Sequence, residues 1–246
     1  MEKVTAYTQA FLSSDFTQYL DQSLNAQITD SLQTTRVPAL PISGLNSQVL
    51  KQIYEYCIEY SDQFQSTVTG KLFDSWYNQP RSAGWAELTI IENKQPYLFR
   101  SLSDQKQTIA RPKSTVTHDS KLIDMCAQIL EPLDISIQFL RIMKLSAGGW
   151  IRPHQDINTV DHGLCYFWIP LHEFPVCMKV FPFGWLQHQY ENMYLFNQGA
   201  YIHAVHNDTQ QDRYVMIGQF DPAHVPASLL SYYNNNKHNF LNIWKN

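Results

Sequence analysis

The sequence predicts a mainly β fold with flanking α-helices, an antiparallel sandwich or barrel of jelly-roll type. Three observations carry this prediction. From Ile135 onward, short segments rich in β-branched and aromatic residues follow one another closely, with Gly-Gly, Asn-Asp and Phe-Gly turns between them. The two stretches with helical periodicity both come earlier in the chain. The 246 residues are 44% hydrophobic and 16% charged, enough for a sizeable core, and all-β barrels of this length commonly form one unit. We therefore expect a single domain over 1–246. Its parts are an irregular arm with bracing helices (1–130), a β core (131–221) and a C-terminal tail (222–246).

Residues 1 to about 40 lack strong periodicity and read as the arm. The first helix is predicted over roughly Asn46–Gln63, where Val49, Leu50, Ile53, Tyr54, Cys57 and Ile58 recur at helical spacing. Trp85–Ile91 reads as a strand. A second helix is predicted over Ser120–Leu130. Asp119 is its N-cap, Leu122, Ile123, Cys126, Ile129 and Leu130 form its apolar face, and Pro132 stops it. Both stripes are read as core packing. Strands follow near Ser136–Ser146, Ile151–Asp156, Gly163–Pro170, Val176–Phe181, Met193–Phe196, Ala200–Val205 and Arg213–Phe220. The tail is rich in asparagine. Its Tyr232, Tyr233, Phe240 and Trp244 are expected to pack back on the body.

Net charge is −4, which makes no basic footprint for nucleic acid or an anionic membrane. The N-terminus has no basic start followed by an apolar run, so no secretory signal is read there. The longest apolar run, Cys165 to Leu171, is too short to span a bilayer. Cys57, Cys126, Cys165 and Cys177 are scattered, with no CxxC pair. They read as free thiols in a reducing, cytoplasmic setting, with a Cys165–Cys177 disulfide as the alternative.

The chemistry-bearing pattern begins at Trp150-Ile-Arg-Pro-His154-Gln-Asp156. Side chains two apart in a strand point to one face, so His154 and Asp156 are positioned to share one metal. A second imidazole follows at His203, in Gly199-Ala-Tyr-Ile-His203-Ala-Val-His-Asn-Asp208. An apolar strand disfavours a polar ring, so His203 is either a ligand or a core histidine bonded to the backbone. His206 is the rival ligand, but strand parity puts it on the opposite face. Two imidazoles and one carboxylate bind Fe(II) on one side and leave positions open for a cosubstrate and O2. Arg213, ten positions after His203, heads a strongly apolar strand and needs a partner if buried. That partner is the distal carboxylate of a dicarboxylate cosubstrate or, in an ordinary ion pair, Asp208 or Asp221. Trp150, Arg152, Tyr166, Trp168 and Trp185 flank the ligand strands and are candidate pocket residues. The remaining histidines, His118, His162, His172, His188, His224 and His238, show no ligand spacing and are read mostly as surface residues. There is no Gly-rich phosphate loop and no G-x-S-x-G elbow.

These motifs resemble the Fe(II)/2-oxoglutarate-dependent oxygenases, and within them the aspartyl/asparaginyl β-hydroxylase-like group, which includes free-amino-acid hydroxylases acting on proline. The likeness runs from about Leu140 to Asp221. It is densest in Leu195-Phe-Asn-Gln-Gly-Ala-Tyr-Ile-His203-Ala-Val-His-Asn-Asp208, with Arg213 and its strand after it. Tyr166-Phe-Trp-Ile-Pro170 resembles the family's preceding strand. The resemblance implies a double-stranded β-helix of cupin-like type and Fe(II) held by His154, Asp156 and His203. It also implies that Arg213 holds the C5 carboxylate of 2-oxoglutarate. Two departures stand out. The aspartyl hydroxylases themselves lack the metal-binding carboxylate, whereas Asp156 is present here, which points toward the free-amino-acid hydroxylases and toward hydroxylation over halogenation. His162 stands where the family tends to carry a second cosubstrate-gripping arginine. The implied activity is O2-dependent hydroxylation of an unactivated C–H bond in an amino acid or peptidyl side chain, with a small molecule or peptide as partner. The alternative is a cupin-like metal- or small-molecule-binding protein without oxygenase activity.

Overall fold

The computed structural model describes residues 39–66, 82–91, 119–133, 137–154, 166–174, 178–181, 184–187, 189–196, 203–207 and 209–220, with positions 227 and 231. Among them are two α-helices, α1 (Ser47–Glu59) and α2 (Ser120–Leu130), each predicted from its apolar stripe. Asn46 caps α1, its Oδ1 accepting from the backbone N–H groups of Gln48 and Val49. The predicted α1 runs too far, because a separate 3-10 turn occupies Ser61–Gln63. Asp119 caps α2 as expected, accepting from the backbone N–H groups of Lys121 and Leu122. Residues 1–38, and the tail apart from positions 227 and 231, lie outside the described residues.

The strands are β1 (Ala39–Ser43), β2 (Gln65–Ser66), β3 (Ser82–Ile91), β4 (Ile137–His154), β5 (Tyr166–Pro170), β6 (Met178–Phe181), β7 (Gly184–Gln187), β8 (Asn192–Phe196), β9 (His203–His206) and β10 (Arg213–Phe220). All described pairings are antiparallel. The order β1-β8-β5-β10-β4-β9-β6-β7 falls into two halves hinged on β4. One sheet is β8-β5-β10 with the first half of β4, and β3 extends it beyond β4. The other is the second half of β4 with β9, β6 and β7. Two sheets, the first the larger because β1 and β3 extend it, joined by one strand that passes from one to the other make a double-stranded β-helix.

The sequence predicts two strands where β4 is one. The chain stays hydrogen-bonded through the bend because β3 follows it, pairing Trp85 with Leu145 before the bend and Ala83 with Trp150 after it. The bend carries Gly148 at φ 67°, a backbone angle that glycine adopts without strain. Opposite it sits Gly84, where a Cβ would lie 3.0 Å from the Ser146 Cβ. The sequence also misses β1, β2 and β7. Of the predicted strand at Ala200–Val205, 203–205 are strand, the described element running His203–His206, and 200–202 lie outside the described residues.

Both helices cover the outer face of the larger sheet. Leu50, Ile53 and Cys57 of α1 and Leu122, Cys126 and Ile129 of α2 share one core with Ile142, Phe167, Leu195 and Met216. Burying each such aliphatic side chain contributes about 1.5–3 kcal/mol, more than a helix cap at about 1 kcal/mol. The helices are therefore held mainly by this contact. A smaller cluster of Leu145, Ile151, Phe174 and Val205, with Trp85 packed against it, joins the inner faces of the two sheets. No helix among the described residues is long and apolar enough to cross a membrane.

Candidate active site

Strand register fixes what faces the space between the sheets. Met216 and Ile142 are opposed and both pack under the helices, so their alternates face inward. The inward residues form successive rungs across the larger sheet. The first, nearest the β4 bend, is Trp85–Leu145–Arg213. The second is Glu87–Met143–Val215–Pro170 and the third Thr89–Arg141–Ile217–Trp168–Tyr194. The fourth is Phe139–Gln219–Tyr166.

Arg213, at the head of β10, is only 6% exposed. Across from it, β9 carries His203, 3% exposed, two residues from Val205. Val205 belongs to the cluster between the sheets, and alternation puts His203 on that same inward face. The backbone register pairs His203 with His154 of β4. A ladder irregularity lies between Ile151 and His154, which sets that pairing one residue off the regular count. His206 instead opposes Trp150 on one side and Met178 on the other. The structure therefore brings His154, His203 and the head of the Arg213 strand to one end of the barrel. Asp156 and His162 lie outside the described residues, as does Asp208. Among the described residues no three His, Cys, Asp or Glu side chains stand together as a metal set. Of the predicted pocket residues, Tyr166 and Trp168 are buried on inward rungs and Trp150 is half-buried.

Sequence reasoning missed the residue that ties these pieces together. Asn207 follows β9 and is fully buried. Its Nδ2 donates to the carbonyls of Leu145 (3.0 Å), Ser146 (3.0 Å) and Gln211 (2.8 Å). Its Oδ1 accepts from the backbone N–H and the hydroxyl of Thr209, and its own N–H donates to Gly149 O at 2.9 Å. One amide thus joins the β9–β10 turn to the β4 bend. Asp212 adds a second tie, accepting from the Ala147 N–H and pairing with Lys144 at 2.8 Å. The signal was present in the Asn207-Asp208 turn, but a turn asparagine does not reveal which strand its side chain reaches.

His172 corrects another expectation. It is half-buried rather than a surface residue. It stacks on Tyr54 of α1 at 4.2 Å, and its Nε2 accepts from the Tyr214 N–H at 3.3 Å. Burial pushes its pKa down to about 4 and the Arg213 charge adds to this, against a bond with the Glu173 backbone that raises it. The imidazole beside Arg213 is therefore neutral near pH 7. Cys57 and Cys126 are free, buried thiols, and burial raises Cys126 to about 12, so neither is a nucleophile. Cys165 and Cys177 lie outside the described residues.

The fold is similar to several solved structures. One is a prolyl-4-hydroxylase from Pseudomonas putida, at 13% identity and TM-score 0.42, covering 79% of this chain and 97% of that one. A second is a viral collagen prolyl hydroxylase from Paramecium bursaria Chlorella virus-1, at 10% identity and TM-score 0.43, covering 75% and 96%. A third is an oxidoreductase of the 2OG-Fe(II) oxygenase family from Burkholderia pseudomallei, at 13% identity and TM-score 0.44, covering 83% and 93%. No family model matches the sequence, and no curated protein matches it. The fold assignment rests on the strand order and register above.

Proposed function

We propose that this protein is an Fe(II)- and 2-oxoglutarate-dependent dioxygenase that hydroxylates a C–H bond. The observation that carries the reading is the register of His154 against His203, with Arg213 buried at the head of the next inward strand. Opposed backbone positions in an antiparallel ladder are neighbours across the two strands, and on this reading 154 and 203 share one metal ion. The donor set fits iron: two imidazoles here, with Asp156 two positions after His154 as the carboxylate. Fe(II) with 2-oxoglutarate and O2 supplies oxidative decarboxylation of the 2-oxo acid coupled to hydroxylation.

The chain's own residues bind, orient and exclude water. Arg213 offers a planar fork of N–H donors to the C5 carboxylate. The neutral His172 beside it adds no second positive charge. Leu145, Ile151, Phe174 and Val205 keep that end of the barrel dry, which strengthens the charge pairing. His162 is the chain's candidate for the other end of the cosubstrate. The run from Leu195 through the Asn207-Asp208 turn to Arg213 supports a place near the aspartyl/asparaginyl β-hydroxylase-like group. The presence of Asp156 favours its free-amino-acid hydroxylases.

A metal-binding barrel without oxygenase activity predicts no 2-oxoglutarate affinity that depends on Arg213, and this separates the two readings. The test is a titration of 2-oxoglutarate into Mn(II)-loaded wild-type and Arg213→Ala protein. Loss of a desolvated bidentate charge pair costs about 2–5 kcal/mol, so affinity should fall by roughly 30-fold or more. Arg213→Lys should fall between the two, and Mn(II) affinity should hold. Equal 2-oxoglutarate affinity in wild type and Arg213→Ala would sink the oxygenase reading.

A further inference from the structure

The head of β10 is held by a side chain where a regular ladder would use the main chain. β5 and β10 pair in register as far as Pro170 opposite Val215, and the next bond runs from the Leu171 N–H to the Tyr214 carbonyl at 3.2 Å. Two residues opposed in this way exchange both N–H···O bonds in a regular ladder. Here the return bond, from the Tyr214 N–H, goes to the His172 Nε2 at 3.3 Å. The imidazole therefore fixes the backbone one residue from Arg213. The ring is itself fixed from two sides. Tyr54 of α1 stacks on it at 4.2 Å, and Phe174, which packs between the sheets, meets it edge-on at 5.0 Å.

The type of acceptor is decided by the charge beside it. Any acceptor could meet the Tyr214 N–H, a carboxylate included. A carboxylate at 172, however, would also attract the buried Arg213 guanidinium and compete with an anionic ligand for it. A lysine there would offer no acceptor and would repel Arg213. An imidazole that accepts at Nε2 carries its one proton on Nδ1 and has no charge. Burial and the Arg213 charge both disfavour a second proton. Asp212, next to Arg213 in sequence, is engaged by Lys144 and by the Ala147 N–H. His172 thus holds the strand head and adds no countercharge to Arg213.

We propose, resting on the hydroxylase reading above, that His172 is a positioning residue for 2-oxoglutarate: its neutral ring fixes the β10 backbone so that Arg213 keeps its aim and its charge for the C5 carboxylate. The two contributions are separable. The Nε2 bond sets where the Arg213 side chain leaves the strand, and a bidentate fork tolerates little displacement. The neutrality of the ring sets how strongly the guanidinium attracts an anion. The stack on Tyr54 makes α1 part of the same support, although that helix covers the outer face of the sheet.

The experiment titrates 2-oxoglutarate into Mn(II)-loaded protein by calorimetry, with Mn(II) affinity measured on each variant. Three substitutions divide the roles. His172→Gln keeps a neutral acceptor. His172→Phe keeps a ring against Tyr54 without an acceptor. His172→Glu keeps an acceptor and adds a charge. Affinity for 2-oxoglutarate should stay within about 3-fold of wild type in His172→Gln and fall about 5- to 10-fold in His172→Phe. In His172→Glu it should fall at least about 10-fold. Mn(II) affinity should hold in all three. Amide exchange at Tyr214, followed by NMR without ligand, should quicken in His172→Phe and not in His172→Gln. Equal 2-oxoglutarate affinity in wild type, His172→Phe and His172→Glu overturns the proposal. So does an equal fall in all three variants, or a parallel loss of Mn(II) binding, either of which makes His172 a general structural residue. Wild-type protein that binds no 2-oxoglutarate refutes the hydroxylase reading instead. An unchanged Tyr214 exchange rate in His172→Phe then separately refutes the hold on β10.

Discussion

At the scale of single residues, Asn207 shows how a buried polar side chain can organise a site without touching a ligand. Its five side-chain hydrogen bonds leave no donor of the amide unused. Removing it by Asn207→Ala leaves the Leu145 and Ser146 carbonyls short of a partner, at about 2–4 kcal/mol in total. Asn207→Asp should be at least as damaging at neutral pH, because it turns an acceptor oxygen toward three carbonyls. Urea unfolding of the two variants checks both statements, and an Asp variant more stable than the Ala variant would contradict the assignment. The candidate ligands were more legible than this support. His154, His203 and Arg213 stand out as candidates by spacing, and the family resemblance supplied the roles expected of them. Arg141 was not legible, because it alternates with Lys144 in Leu140-Arg-Ile-Met-Lys-Leu145. Only register decides that Arg141 faces inward while Lys144 lies over the Tyr214 ring on the helix side.

At the scale of elements, the sequence marked what repeats and missed what is short. The α1 and α2 stripes hold over several turns, so both helices and the Asp119 cap are legible. β7 is four residues, Gly-Trp-Leu-Gln, too few to show alternation. β1 contains Pro41, which removes a ladder donor and belongs at a sheet edge. Among the described strands it is the edge, beside β8. The contact between α1 and β10 is what the sequence could least foresee. There Tyr54 stacks on His172 and meets Tyr214 edge-on at 5.8 Å. This contact carries a pH dependence. The folded protein holds His172 neutral down to about pH 4, whereas an unfolded histidine takes up its proton near pH 6.5. Between those values the unfolded state binds more protons, so stability falls as pH drops. The slope from this residue is at most about 1.4 kcal/mol per pH unit. Comparing urea unfolding at about pH 7 and about pH 5 should show that loss in wild type and less of it in His172→Gln. Parallel loss in the two proteins would remove His172 as the source.

At the scale of the whole molecule, β4 makes two sheets into one unit. Its first half pairs with β10 and its second half with β9, so the sheets cannot separate without breaking the strand's own ladder. The proposed ligands span that division, with the metal on β4 and β9 and the C5 carboxylate on β10. A ligand that binds only when both sheets are in place should stabilise the whole unit and leave a single unfolding transition. At about 100 times its dissociation constant a ligand stabilises by about 2.7 kcal/mol. For a chain of this size that moves Tm by about 5–10 °C. We expect Mn(II) alone to raise Tm, and 2-oxoglutarate to raise it further only when Mn(II) is present, since the 2-oxo acid is bound partly through the metal. Arg213→Ala should keep the Mn(II) shift and lose most of the 2-oxoglutarate shift. His203→Ala should lose both. Differential scanning calorimetry reads all three. A 2-oxoglutarate shift of full size without metal would place the dicarboxylate away from the His154–His203 pair. A shift that splits the transition in two would mean that the sheets unfold separately and that β4 does not couple them.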